Sequence, residues 1–339
     1  NFNVSWEINP FGNALFAGRA ATAEMDRARY AYEVARAGIA AETADAWFQA
    51  KGLAIQLADA QEAVRIAQGL YGIADKRAQV GIAPRSEPDR VAGDLAQARS
   101  QVEALEAQLQ VQKRAILILA GRTVEPTANL NATPDVGAAP AVPGGLPSQL
   151  LERRPDVRQA QAAIRSQVSQ KILAQLAFFP SLNLTPGIGW QKIKQPNFAS
   201  ESRSWTWGGT LTQPILSIPR LLADLKVQDA RTEQAVLAYE KTVQTAFQES
   251  ESALVNLDAD RRRVALLTEG EARARRGYEA TRIGYDRGFN DLSTTLQAQQ
   301  NWRAIRAQLT AAQVQALRRS VQAMKALGGG WPVQAYAAK

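Results

Sequence analysis

The alternation of apolar and polar residues between Pro180 and Pro214 predicts two β-strands joined by a polar loop. Apolar side chains stand at every second position of each segment, with polar residues or glycine between them. A period of two is the pattern of a strand with one apolar face. Each segment holds about ten alternating residues, the length that a tilted strand needs to cross a bilayer. The apolar positions are Leu182, Leu184, Ile188, Trp190, Trp205, Trp207 and Leu211.

This alternation alone also fits a hairpin that packs on the protein's own helices, because both arrangements need one apolar and one polar face. The positions of the tryptophans favour the membrane. They stand at the loop-side ends of the two segments, where an aromatic girdle would lie. A third segment, residues 1–9, alternates in the same way and predicts a further strand of the same type. The candidate girdle residues are Trp6, Trp190, Trp205 and Trp207.

Two long antiparallel helical hairpins are predicted on either side of the strands. Residues 13–79 contain no proline and are rich in Ala, Glu, Arg and Gln, which favours a helix about 100 Å long. A break at 80–88 precedes a return helix at 89–119, whose apolar residues alternate at spacings of four and three, as in a coiled coil. Residues 219–284 and a last helix ending near 327 repeat this order around a break at 285–291.

The remaining segments complete a duplicated layout. Five prolines make residues 121–147 irregular, and prolines at 147 and 155 suit the first turns of helices within 148–178. Residues 328–339 follow the last helix as a tail. We predict seven parts: a strand at 1–9, a helical hairpin at 13–120, the irregular segment, upper helices at 148–178, the strand hairpin at 180–214, a second helical hairpin at 219–327 and the tail. The second return helix is about 40 Å too short for its partner, so we expect a preceding helix and strand.

Composition excludes several classes of site. The chain has no cysteine and no histidine, so disulfides, Cys or His metal sites and a Ser-His-Asp triad are all excluded. Its formal net charge is +8, but the basic residues are mixed with acidic ones along helices and no nucleic-acid reader motif accompanies them. We therefore expect no nucleic-acid partner, no cofactor and no catalytic site.

The chain resembles the TolC superfamily, and within it the OprM/NodT-type outer-membrane factors of efflux systems. The residues that carry the resemblance occur in family order along the whole chain. They are residues 145–158 (GLPSQLLERRPDVR) followed by Phe179-Pro180, residues 6–12 (WEINPFG), residues 207–215 (WGGTLTQPI) and residues 326–331 (ALGGGW).

The resemblance implies a mainly α fold with a small β part, in which three copies share an α-helical barrel in the periplasm and a β-barrel in the outer membrane. Lipid would surround the β-barrel, and five polar side chains would line its lumen: Asn183, Thr185, Thr206, Thr210 and Thr212. The irregular segment and the tail would form an equatorial belt. Family members are often lipoproteins anchored through an N-terminal Cys; the sequence contains no Cys, and the expected preceding segment is where such a residue would lie.

The function implied is passive export of drugs or other small molecules, in partnership with a periplasmic adaptor protein and an inner-membrane RND transporter. The adaptor would dock at the two helical turns, where the gate also lies. The matching positions are Val80, Gly81, Ile82, Arg287, Gly288 and Phe289. Family members often carry acidic rings just inside the second turn, but the matching positions here, Thr294 and Gln297, are neutral. Nearby candidates for gating or selectivity are Glu87, Asp89 and Asp291.

Two other functions compete with the channel. A periplasmic coiled-coil adaptor or structural protein that conducts nothing would explain the long helices, but not the alternating strands with their tryptophans. An enzyme would need converging acid and base groups, and the carboxylates here follow helix-surface spacing instead. The alternative to a selectivity role for Asp291 is that it is an exposed cap of the following helix.

Overall fold

The computed structural model describes residues 2–3, 6–8, 12–135, 137, 153–195 and 198–329. Five helices dominate it: α1 (Asn13–Gln79), α2 (Ser86–Leu119), α3 (Pro155–Leu176), α4 (Ile218–Asp286) and α5 (Leu292–Ala326). Four strands form one small sheet: β1 (Phe2–Asn3), β2 (Trp6–Ile8), β3 (Ser181–Gln195) and β4 (Phe198–Thr212). The predicted fold class, mainly α with a small β part, is confirmed.

The chain divides into two compact units. The first comprises residues 1–34 and 151–246, and contains the sheet, α3 and the beginnings of α1 and α4. The second comprises residues 35–150 and 247–339, and contains α2, α5 and the remainders of α1 and α4. None of the helices in the described part of the chain is apolar enough over a sufficient length to cross a membrane.

The sheet is antiparallel throughout and keeps one register. Strands β3 and β4 pair along their whole lengths, from Ser181 opposite Thr212 to Gln195 opposite Phe198. Strands β1 and β2 both pair with the other edge of β3, with Phe2 opposite Ile188 and Ile8 opposite Leu182. Because the two short strands share one register, the predicted first strand is present as two described pieces of the same ladder. Residues that alternate along each strand therefore fall on common faces of the sheet.

The hairpin is longer than its alternation predicts. Residues 192–203 were expected to form a polar loop, but the ladder continues to the pair Gln195 and Phe198. Trp190 and Trp205 consequently lie well inside their strands, and their predicted position at the strand ends is wrong. The cause is that charged residues replace apolar ones beyond Trp190 on the face that carries this tryptophan, for example Lys192 opposite Glu201, so the period of two disappears from the sequence while backbone pairing continues.

Helix bounds follow the sequence closely, with two corrections. Helix α1 has the predicted bounds, whereas α2 begins at Ser86, three residues earlier than predicted. Pro88 was assigned to the break but lies in the first turn of α2, where a missing N–H breaks no helical hydrogen bond. Tyr285 was also assigned to a break but belongs to α4. The predicted helix at 148–154 falls almost wholly outside the described residues, as does the tail from 330.

The first unit is held together by small buried residues and by a few ion pairs between its helices. Ala23 on α1 and Ala162 and Ser166 on α3 are buried, so neighbouring backbones approach closely. Lys171 of α3 forms an ion pair of 2.7 Å with Asp229 of α4. Arg154, only 7% exposed, precedes α3 and pairs with Asp156 at 2.7 Å. Burial favours the neutral form of Asp156, but the hydrogen bond and charge of Arg154, together with the N–H of Val157, outweigh it and lower the pKa of Asp156.

The second unit has three apolar clusters along its helices, again rich in alanine. Ala46, Ala50 and Ala54 of α1 pack with Leu109 and Ile116 of α2. Charged contacts join α1 to α5: Arg306 donates to Asp59 at 2.8 Å, and Arg318 donates to Asp45. Gly52 allows α1 to approach α5, because a Cβ at this position would lie 2.6 Å from Cγ2 of Val314.

Candidate functional site

The turn between α1 and α2 is a glycine-terminated helix end that exposes two apolar side chains. Gly81 has a φ of +75°, which a residue with a side chain rarely adopts. Its N–H donates to the carbonyl of Ala78, and the N–H of Ile82 donates to the carbonyl of Arg77 at 2.9 Å. These two bonds define a Schellman motif, which satisfies the last carbonyls of α1. Val80 and Ile82 are 68% and 70% exposed at this tip.

The turn between α4 and α5 repeats this geometry 207 residues later. Gly288 has a φ of +81°, its N–H donates to the carbonyl of Tyr285, and Phe289 donates to Gly284 at 2.7 Å. The far ends of the return helices show the same correspondence, since Gly121 and Gly328 both have positive φ and are also 207 residues apart. The duplication predicted from the order of elements therefore extends to individual hydrogen bonds. Arg287 is exposed, and Phe289 is 82% exposed.

A hydrogen bond between side chains joins the two hairpins at their tips. Tyr285, near the end of α4, is only 1% exposed, and its hydroxyl donates to Oε1 of Glu87 in the first turn of α2 at 3.1 Å. The guanidinium of Arg77 lies over the Tyr285 ring, 4.8 Å from its centroid. Burial, together with the negative charge of Glu87, raises the pKa of Tyr285 to about 12. Its hydroxyl therefore remains a donor at neutral pH.

The other predicted gate residues lie on the exposed surface around this bond. Asp89 is exposed on α2, and Thr294 and Gln297 are exposed on the first two turns of α5. Asp291 caps α5: its carboxylate accepts a 2.8 Å hydrogen bond from the N–H of Thr294. Hydrogen bonding from Thr294 holds the pKa of Asp291 below its usual value. The structure thus separates Glu87, which is half-buried and bonded, from Asp89 and Asp291, which face solvent.

Polar and apolar side chains lie on opposite faces of the sheet. Asn183 is directly opposite Thr210, and Thr185 and Thr206 lie on the same face, opposite glycines. Thr212 completes this polar face, opposite Ser181. The other face carries Trp190, Trp205 and Trp207, of which Trp205 and Trp207 are 71% and 83% exposed. The side chain of Trp6 lies outside the described residues.

Sequence reasoning missed Tyr285 as a functional candidate. No local signal marks it, because its partner Glu87 is 198 residues away. One available clue was the shared spacing of Tyr71 to Gly81 and Tyr278 to Gly288, which places aromatic residues near both tips. Within the described residues, no cluster of acidic side chains could hold a metal ion.

Comparisons with known proteins give consistent matches over most of the chain. The sequence model of the outer membrane efflux protein family matches residues 1–122 and 146–329. The outer membrane protein OprJ of Pseudomonas aeruginosa is 29% identical over 338 residues, covering 96% of this chain and 68% of OprJ. The toluene efflux pump outer membrane protein TtgI of Pseudomonas putida is 29% identical over 248 residues, covering 71% of this chain and 53% of TtgI.

A solved structure with the same fold is the CmeC outer membrane channel of Campylobacter jejuni. It matches with a TM-score of 0.85 at 25% identity, covering 97% of this chain and 70% of CmeC. The chain therefore spans between about half and about two thirds of the length of these relatives.

Proposed function

Because the chain belongs to the outer membrane efflux protein family, we propose that it forms the channel through which a tripartite pump exports small molecules. The family is one of transport channels of the bacterial outer membrane, and this membership confirms the resemblance predicted from the sequence motifs. The exported compounds are drugs or other small molecules, and the channel conducts them passively, without bond chemistry or a cofactor.

The observation that carries this proposal is the two-faced inner section of the β3–β4 hairpin. From Ser181 to Trp190 it has about ten residues on each strand, which is enough to cross a bilayer. One face carries Trp205, Trp207 and Leu211, all at least 70% exposed, and such large apolar side chains need lipid around them. The opposite face carries hydroxyls and amides suited to a water-filled lumen.

A homotrimer provides partner strands for the open edge of the sheet. The sheet of the described residues ends at β4, whose second edge has no partner strand there. An open edge is not tolerated within a bilayer, so the sheet is closed by strands of other copies. On α4, exposed apolar residues of the second unit offer a surface for another copy: Phe247, Leu254, Val255, Leu266 and Ile283.

The two tips are the proposed docking and gating region. Val80, Ile82 and Phe289 form apolar contacts with the periplasmic adaptor, which links the channel to an inner-membrane RND transporter. Arg287 lies beside them and contributes charge. The gate is closed when the Tyr285–Glu87 bond holds the two hairpins of each copy together. Asp89, Thr294 and Gln297 lie in its vicinity and influence which solutes pass, whereas Asp291 acts there as the cap of α5.

The experiment is conductance in planar bilayers of the full-length protein, purified in detergent and sized as a trimer. Two neighbouring substitutions serve as a matched pair, because Thr210 and Leu211 face opposite sides of the sheet. We expect Thr210→Lys to insert and to shift ion selectivity toward anions. Leu211→Lys should insert less efficiently and leave ion selectivity unchanged, because Leu211 is on the lipid face near one end of the crossing section, opposite Leu182, where a charge costs up to about 1 kcal/mol.

A monomer that never inserts would overturn the channel and support the alternative, a periplasmic coiled-coil protein that conducts nothing. Equal effects of Thr210→Lys and Leu211→Lys would show that the two faces of the sheet do not face lumen and lipid.

A further inference from the structure

The outer rungs of the hairpin change character on one face only. On the face that carries the tryptophans, the pair of Ile188 and Trp205 is followed by Trp190 opposite Arg203, and then by Lys192 opposite Glu201. Successive pairs on one face are about 7 Å apart. The same rungs on the other face carry Gly189 opposite Ser204 and Gln191 opposite Ser202, which are uncharged. The charges are therefore placed where the apolar face ends, on the side proposed to meet lipid.

The carboxylate of Glu201 is occupied by its neighbours. Its Oε1 accepts a 2.8 Å hydrogen bond from the indole N–H of Trp190, and its Oε2 lies 3.9 Å from Nζ of Lys192. The first bond fixes the polar edge of the Trp190 ring at the level of the charged rung. The second is an exposed ion pair, which contributes little stability and leaves the ammonium open to other anions.

Arg203 is a second cationic side chain on this surface. It is exposed, it stands directly opposite Trp190, and among the described residues no acidic side chain lies within ion-pair distance of it. A guanidinium beside a tryptophan, at the level where apolar side chains give way to charged ones, matches the chemistry of a phosphate-bearing headgroup. Its planar fork can bind two phosphate oxygens at once.

We infer that Arg203 and Lys192 form a binding site for the phosphate groups of lipids in the outer leaflet, beside the membrane-spanning part of the hairpin. This inference rests on the proposed function, because that function places the tryptophan face in lipid. Lipid acyl chains pack on Trp205 and on the inner part of Trp190, and the phosphate lies against Arg203, at the level of Trp190, and Lys192, about 7 Å further out. Glu201 opposes binding by its charge but positions Trp190.

The test uses the full-length trimer in detergent and lipid A as the probe. Binding is measured by native mass spectrometry for bis-phosphorylated lipid A and for the same glycolipid with both phosphates removed. We expect Arg203→Gln with Lys192→Gln to weaken binding of the phosphorylated form by about fivefold for each cation removed. Arg220→Gln, a basic residue of α4 paired with Asp224, is the matched control and should leave binding unchanged.

A substitution that should strengthen binding distinguishes an effect of charge from damage to the fold. Glu201→Gln keeps an amide oxygen for the Trp190 indole but removes a negative charge, so it should strengthen binding of phosphorylated lipid A. Equal binding of the two forms of lipid A, or equal weakening by Arg220→Gln, would overturn the inference. Competition by millimolar inorganic phosphate would overturn it too, because it would indicate a site for free anions.

Planar-bilayer conductance of each variant distinguishes the two proposals. Trimers that insert and conduct normally, but bind lipid A without regard to phosphate, refute the lipid site alone. Failure of the unmodified trimer to insert refutes the channel itself.

Discussion

The hydroxyl of Tyr285 donates a 3.1 Å hydrogen bond to Glu87, and so joins the end of α4 to the start of α2. These residues belong to different helical hairpins, each with its own glycine turn a few residues away. A tip that opens by separating the hairpins must break this bond. Hydrogen bonds to charged groups contribute about 1.5–3 kcal/mol, so one bond per copy is enough to bias a gate.

Substitution of Tyr285 by Phe should open the channel more often. The variant keeps the ring against Arg77 but removes the donor, and Glu87 can turn to solvent because it is only half-buried. We expect open probability to rise by about tenfold, equivalent to about 1.4 kcal/mol. Single-channel recording of the trimer measures this open probability.

The matched control is Tyr278→Phe, on the same helix two turns earlier. Tyr278 is also buried, but it stacks on Trp302 with centroids 5.3 Å apart and has no contact with Glu87. If both variants raise open probability equally, the effect comes from a loosened helix and not from the tip bond. Combining Tyr285→Phe with Glu87→Ala should add nothing beyond the first change.

Alkaline pH should weaken the tip contact in the unmodified protein. Because the pKa of Tyr285 is raised to about 12, the folded state keeps the proton that an unfolded chain releases near pH 10. The stability that this protonated hydroxyl contributes is therefore complete below about pH 10 and is lost as the pH rises towards about 12. Protection of the tip amides, taken relative to their base-catalysed intrinsic exchange rates, should therefore fall in this window. In Tyr285→Phe that loss of protection should be absent; if it persists, another group titrates there.

Helix ends were predictable because local residues determine them, whereas the tip contact was not. Proline-free stretches and the glycines at 81 and 288 defined α1 and α4 to within two residues. Tyr285 and Glu87 are in contact only because two separate hairpins pack side by side. The sequence of either segment alone does not indicate this contact. The length of the hairpin was underestimated for a related reason. Alternation reports a difference between two faces, and beyond Trp190 charged residues replace the apolar ones on the tryptophan face.

The two tip glycines should not tolerate alanine. At Gly81 and Gly288 the backbone has positive φ, where a Cβ costs about 1–2 kcal/mol. We expect Gly81→Ala and Gly288→Ala each to raise hydrogen exchange at the tips and to weaken adaptor binding. Gly93→Ala is the control, because Gly93 is an exposed position inside α2 with open space around it and should gain about 1 kcal/mol. Equal behaviour of the three variants would contradict a role for the glycine turns.

Close packing of α1 on α5 makes a second prediction about glycine. At Gly52 a Cβ would lie 2.6 Å from Val314, so Gly52→Ala must move one of the helices and should destabilise the protein by about 1–3 kcal/mol. Gly69 lies in the same helix with no atom within 4 Å of its added Cβ, so Gly69→Ala should stabilise it instead. Thermal unfolding measures the stability of both variants. Changes of the same sign would show that Val314 can move away from the added methyl group without loss of stability.

Asp291 allows the capping and the electrostatic roles of one carboxylate to be separated. Asn caps helices as well as Asp does, so Asp291→Asn should keep the bond to the Thr294 N–H, whereas Asp291→Ala should lose this bond and destabilise the first turn of α5. Because the pKa of Asp291 is lowered, its charge contributes stability above the ordinary Asp range, and that contribution is lost as the pH falls through the lowered value. With neutral Thr294 and Gln297 beside it, we expect Asp291→Asn to leave ion selectivity unchanged. A marked loss of cation preference in reversal-potential measurements would instead assign Asp291 to a selectivity ring.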